Sequence, residues 1–115
     1  MTHVPAAPAP ELAYERVATL AALADGELLG VVLASGERVC LARHAGEVTA
    51  LADRCSHADF ALSAGDLLAD GTVQCGWHGA RFDRCTGEVR QGPACRRVAT
   101  YAVQVRDDAI WVGRR

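Results

Sequence analysis

Two short segments concentrate the residues able to bind metal: Cys55-Ser56-His57 and, after seventeen intervening residues, Cys75-Gly76-Trp77-His78. Each offers one thiolate and one imidazole from a single tight loop, so two such loops facing each other present a soft thiolate pair and an imidazole pair to one site. That donor set suits tetrahedral zinc or an iron–sulfur cluster. Zinc fingers commonly pair Cys with Cys in one knuckle and His with His in the other, whereas here each loop carries one of each. The mixed arrangement fits a cluster whose two irons differ. If each loop gives its Cys to one iron and its His to the other, one iron gains two thiolates and the second two neutral imidazoles.

The remaining candidates are assigned structural roles. Cys40 falls within an alternating strand and reads as a small buried hydrophobe. Cys85 and Cys95 lie in the loop-rich stretch near the cluster segments and are expected as free thiols rather than a disulfide, since an odd count of five cysteines favours metal binding over a disulfide framework. His44 beside Ala45-Gly46 is expected to be an exposed turn residue, and His3 belongs to the N-terminal stretch. Asp59 and Asp83 lack an accompanying nucleophile or substrate anchor, so turn stabilisation and charge pairing are expected of them rather than acid–base catalysis.

The elements that must carry these loops read as all-β. Tyr14–Leu20 and Leu28–Leu33 look like strands, with a short helical turn over Leu20–Ala24. Val39 and Leu41 alternate with Arg38 and Cys40, Ala45-Gly46 marks a turn, and Val48–Ala52 returns, which describes a hairpin. A second hairpin follows at Tyr101, Val103 and Val105, turns at Asp107-Asp108 and returns through Ile110 and Val112. Between the hairpins, Asp53–Ala69 and Gly76–Ala94 are rich in glycine and polar residues around a short strand at Thr72–Cys75. This composition cannot build a core alone. It implies a small loop-built lobe, spanning about residues 53–95, whose order comes from what it binds. Residues 1–13, rich in Pro and Ala and without periodicity, are expected as a flexible tail before one domain at 14–115.

With 115 residues, half of them hydrophobic, the chain can close one core but not that core plus a catalytic domain. A formal charge of −2 with interspersed signs offers no basic stripe for a phosphate backbone, so nucleic acid is not expected as a partner. No targeting h-region and no apolar stretch of bilayer length is present, and a cytoplasmic protein without a membrane partner is expected.

The segments Cys55-Ser56-His57-Ala58-Asp59 and Cys75-Gly76-Trp77-His78-Gly79-Ala80-Arg81-Phe82-Asp83, followed by Thr86-Gly87-Glu88 and Gly92-Pro93-Ala94, resemble the Rieske ferredoxin signature. The likeness covers essentially Tyr14 to Val112. It implies an antiparallel, sandwich-like β scaffold with a cluster-binding lobe, and one [2Fe–2S] cluster with Cys55 and Cys75 on one iron and His57 and His78 on the outer iron. Gly92-Pro93-Ala94 would be the proline-containing loop over the cluster, and Gly79 would let backbone approach it closely. Two neutral ligands in place of two anionic ones make such a cluster easier to reduce, with the electron expected on the histidine-ligated iron.

Within that family, the proteins of respiratory complexes carry an extra loop cysteine pair, matched here by Phe60 and Trp77. They also carry a Ser and a Tyr hydroxyl on the cluster, matched here by Ala80 and Phe82. The resemblance therefore implies no loop disulfide and a potential at the low end, about −150 mV. Terminal oxygenases with a similar domain continue into a two-His, one-carboxylate iron site, and this sequence does not. The implied role is a monomeric electron carrier, not an enzyme, that takes electrons from a flavin-dependent ferredoxin reductase and passes them to a terminal oxygenase of the aromatic-ring dioxygenase type. Its alternatives are a small Rieske-type subunit of a larger reductase, such as nitrite reductase, and a zinc-stabilised binding module.

Overall fold

The computed structural model describes residues 13–55, 60–76, 79–92 and 96–114; apart from Ala13, the expected tail lies outside them. In chain order the strands are β1 (Tyr14–Thr19), β2 (Leu28–Val32), β3 (Arg38–His44), β4 (Glu47–Ala52), β5 (Asp66–Leu67), β6 (Thr72–Gln74), β7 (Arg81–Asp83), β8 (Val89–Gln91), β9 (Thr100–Arg106) and β10 (Ala109–Arg114). Single 3-10 turns occupy Leu20–Ala22 and Leu62–Ala64. Two antiparallel sheets result, one of six strands in the order β1-β10-β9-β4-β3-β2 and one of four in the order β5-β6-β7-β8.

Period-two patterning explains the larger sheet. Leu29 and Val31 of β2, Val39 and Leu41 of β3, Val48, Ala50 and Ala52 of β4, Tyr101 and Val103 of β9, and Ile110 and Val112 of β10 all enter one apolar cluster. On β1 the register shifts between Arg16 and Ala18, and this bulge lets the adjacent Val17 and Ala18 both join the same cluster. All six strands thus line one interior, and the sheet curls to enclose it. The Glu15 carboxylate on edge strand β1 accepts the Ala34 backbone N–H, just beyond edge strand β2, at 2.9 and 3.1 Å.

Strand β3 departs from the half-buried alternation expected of it: Val39, Cys40, Leu41 and Ala42 are all buried. Val39 and Leu41 face the scaffold interior, while Cys40, with Leu51 of β4, belongs to a second cluster beneath the small sheet. The outer face of the β3–β4 hairpin is therefore covered.

The cover is the lobe. Expected as loops around one short strand, it also contains β5, β7 and β8. Cross-strand pairing aligns Leu67 with Val73, Val73 with Phe82 and Phe82 with Val89, one apolar row across four strands. That row packs with Cys40 and Leu51, so the lobe's core is completed by the scaffold rather than by the lobe alone. At the far end of the hairpin, His44 Nε2 donates to the Ala69 carbonyl at 3.1 Å, and Arg84 reaches the Gly71 carbonyl and the Glu47 carboxylate. His44 is half-buried rather than the exposed turn residue expected, because the Leu68–Thr72 turn lies over it.

Candidate metal centre

Cys55 follows β4 by three residues and Cys75 follows β6 directly. Each begins a loop closed in the same way: the Cys55 N–H donates to the Phe60 carbonyl at 2.9 Å, and the Cys75 N–H donates to the Ala80 carbonyl at 2.7 Å. The two five-residue steps thus carry matching closures. The cysteine side chains are 2% and 1% exposed and lie in one apolar cluster with Leu62, Val73, Ala80 and Phe82. The fold thus brings the two sequence-predicted cysteines into one buried cluster. His57, His78, Trp77, Asp59, Pro93, Ala94 and Cys95 lie outside the described residues.

The second loop contains Gly79 at φ +74°, a left-handed conformation that glycine adopts without a Cβ penalty. The expected reason for this glycine was close approach to a cluster; the backbone itself supplies another. Gly87 is constrained twice, by φ +76° and by a Cβ position that would overlap the Val98 carbonyl. It joins the β7–β8 turn to the segment entering β9, where the Val98 N–H donates to the Gly87 carbonyl at 3.0 Å.

Asp83 takes up both of its expected roles. Its Oδ1 accepts the N–H groups of Cys85 and Thr86 at 2.8 and 3.0 Å, and its Oδ2 accepts from Arg90 at 2.8 Å. The Arg90 hydrogen bond, followed by those two backbone donors, outweighs burial and holds the carboxyl down at about 2. Cys85 is a free, exposed thiol, with its Sγ 3.9 Å from Glu47 Oε1. Partial burial, with Glu47 and Asp83 nearby, pushes that thiol up against the opposing pull of Arg84. Cys40 is wholly buried, and burial followed by the Asp53 carboxylate pushes its thiol up further, consistent with an inert packing residue.

Sequence reasoning missed Asp53 and Ser63. Asp53 is 5% exposed and accepts the Ser63 N–H at 2.7 Å and the Ser63 hydroxyl at 2.5 Å, while its own N–H donates to the Arg38 carbonyl at 3.0 Å. An acidic residue two positions before Cys55 reads as solvated loop; only the fold brings a serine ten residues on against it. Among the described residues no helix is long and apolar enough to cross a membrane, and no set of three or more His, Cys, Asp or Glu side chains is grouped to hold a metal ion.

The Rieske [2Fe-2S] domain profile matches residues 14–102. The chain is 36% identical over 101 residues to the ferredoxin component of biphenyl 2,3-dioxygenase from Rhodococcus jostii (strain RHA1), covering 88% of this chain and 92% of that protein. It is also 36% identical over 90 residues to the ferredoxin component of the p-cumate 2,3-dioxygenase system of Pseudomonas putida, covering 78% and 76%. Among solved structures, the ferredoxin of carbazole 1,9a-dioxygenase from Nocardioides aromaticivorans IC177 aligns with a TM-score of 0.81 at 32% identity, over 89% of this chain and 98% of that one. The profile match spans both cysteine segments, and on these likenesses the chain belongs to the Rieske [2Fe–2S] family as one of its electron-carrying ferredoxins.

Proposed function

We propose that the chain holds its [2Fe–2S] cluster on Cys55, His57, Cys75 and His78, with the thiolates on the inner iron and the imidazoles on the outer one. It then passes single electrons from a flavin-dependent reductase to a terminal oxygenase of the aromatic-ring dioxygenase type, catalysing no reaction itself. The observation that carries this reading is the pair of matched loop closures, Cys55 to Phe60 and Cys75 to Ala80, with both cysteines buried in one apolar cluster. When bound, the cluster supplies a one-electron couple. The chain's own residues do the rest. Leu62, Val73 and Phe82 would keep water from the sulfurs, and a drier, hydroxyl-free surround stabilises the less negative oxidised form and lowers the potential, whereas hydroxyl donors to the sulfurs would stabilise the reduced form and raise it. Ala80 and Phe82 are fully buried and present no hydroxyl, which supports a potential near the low end of the Rieske range, about −150 mV.

His57 and His78 would be the electron's exit, on a transient docking face shared with Trp77 and Pro93. Relatives named as ferredoxin components of dioxygenase systems support the oxygenase as partner. The free, exposed thiol of Cys85 fits a reducing, cytoplasmic setting. The division into a tail at 1–13 and a domain at 14–115, with its lobe at about 53–95, and a monomeric state belong to the same reading.

The test is the visible and low-temperature electron paramagnetic resonance spectrum of the anaerobically purified protein, before and after dithionite, with iron, sulfide and zinc analysis. A red-brown protein with an anisotropic reduced signal is expected. A colourless protein with stoichiometric zinc that resists cluster reconstitution overturns the reading. Charge reversal at Asp59 or Arg81 should change the rate and salt dependence of electron transfer; unchanged kinetics for both would move the docking face elsewhere.

A further inference from the structure

The Leu62–Ala64 turn with Gly65 touches the stems of both cysteine loops. On one side, the Ser63 N–H and hydroxyl donate to the two carboxylate oxygens of Asp53, two residues before Cys55. On the other, the Gly65 backbone lies on the strand end that carries Cys75: a Cβ added there would overlap the Gln74 carbonyl oxygen and sit 3.2 Å from the Gly76 nitrogen. Cys75 lies between those two contact points. The turn is closed by Ala64 N–H to the Ala61 carbonyl at 3.1 Å and Gly65 N–H to the Leu62 carbonyl at 2.9 Å, and fully buried Leu62 anchors it in the lobe core.

The scaffold has made room for this arrangement. A Cβ on Gly30 of β2 would stand 2.7 Å from Ser63 Oγ and 3.0 Å from Asp53 Oδ2, so the buried pair fits beneath a glycine and is crowded by any larger residue. Glycine is thus required by close approach at two points, one on each side of the turn.

From these contacts we infer that the Leu62–Gly65 turn is a spacer that sets the separation of the two cysteine loops, and so the geometry in which they grip the cluster. Ser63, Gly65 and Gly30 are positioning residues in this scheme. The inference rests on Cys55 and Cys75 being ligands, as proposed above. The turn does not touch the metal; it acts by holding two chain segments at one distance, the kind of outer support whose loss costs metal sites much of their affinity.

The full-length, cluster-loaded protein tests this through Gly65→Ala and Ser63→Ala. Gly46→Ala serves as a control, because Gly46 has φ +83° and open space around its Cβ position, so the substitution strains the fold at a site away from the loops. The readouts are the g-values of the dithionite-reduced signal, the reduction potential and the rate of iron loss to a chelator. Gly65→Ala is expected to lose iron about tenfold faster or more, with shifted g-values and potential. Ser63→Ala, which keeps the backbone bond to Asp53, should shift the same quantities less. Gly46→Ala should lower the melting temperature while leaving g-values and potential as in the wild type. If Gly65→Ala fails to assemble, Ser63→Ala decides alone. Wild-type g-values, potential and iron retention in the loop variants, with only a stability loss like that of Gly46→Ala, would overturn the spacer. A wild-type protein without a cluster instead strikes the ligand reading itself.

Discussion

Strands of the curled sheet run five to seven residues and enclose Leu, Val, Ile and Tyr101, whereas those of the small sheet run two or three and enclose one cross-strand apolar row with Leu62, Ala80, Val98, Cys55 and Cys75. The first has enough alternating side chains on each strand to pay its own ordering entropy. The second falls below the usual strand length and takes part of its core, Cys40 and Leu51, from its neighbour. A sheet of that size is expected to depend on both the scaffold face and the bound cluster, and the scaffold to depend on neither to the same degree.

The largest effect should come from Cys75→Ala. The cluster is expected to be lost completely and amide exchange to rise across Thr72–Gln74, Arg81–Asp83 and Val89–Gln91, while protection persists in β3, β4, β9 and β10. Hydrogen exchange read by mass spectrometry decides it; loss of protection in both sheets together would break the comparison. Next, Phe82→Ala and Leu41→Ala each empty a fully buried site at a cost of about 3–4 kcal/mol. The first should open the lobe alone, and the second should lower the midpoint of the whole chain in denaturant.

Asp83→Asn probes the lobe's turn by charge. A carboxyl held down at about 2 contributes stability above its ordinary value near 3.8, and that contribution is lost as pH falls through 2. Above pH 4 the variant should be less stable by about 1 kcal/mol after allowance for the exposed Arg90 partner, with the difference from wild type vanishing toward pH 2 in acid titrations. Smallest of all, Glu47→Gln removes a bridge from the scaffold to Arg84 of the lobe. The carboxylate is largely exposed, so a change below about 0.5 kcal/mol is expected in the lobe's chevron or melting midpoint.

Long elements were legible before the fold was known. β1 and β2 match their expected spans to within one residue, and both hairpins turn at Ala45-Gly46 and Asp107-Asp108, where Ala45 and both aspartates have positive φ. These follow from period-two patterning and turn chemistry, which act over a few neighbouring residues. β5, β7 and β8 were not legible, because two or three residues cannot display a period and, unlike the Thr-Val run that marks β6, each sets a single apolar residue among charged or polar ones. The Leu62–Ala64 turn carries no side-chain cap to announce it.

The donor chemistry was also written locally: a cysteine and a histidine in each of two segments, with glycines beside the second pair, is a property of adjacent residues. Its relation to the rest of the chain was not. That Cys40 and Leu51 floor the lobe, that His44 docks on its turn, and that Asp53, Ser63 and Gly30 form one close contact depend on which distant segment covers the second face of β3–β4. The sequence alone determined the two Cys/His segments, the hairpins and the pattern of one core, since alternation and turn residues are read within a strand's length. Only tertiary structure decided the second core and the spacing of the loops, since burial on an outer face and the close approach of backbones are relations between segments that no local pattern encodes.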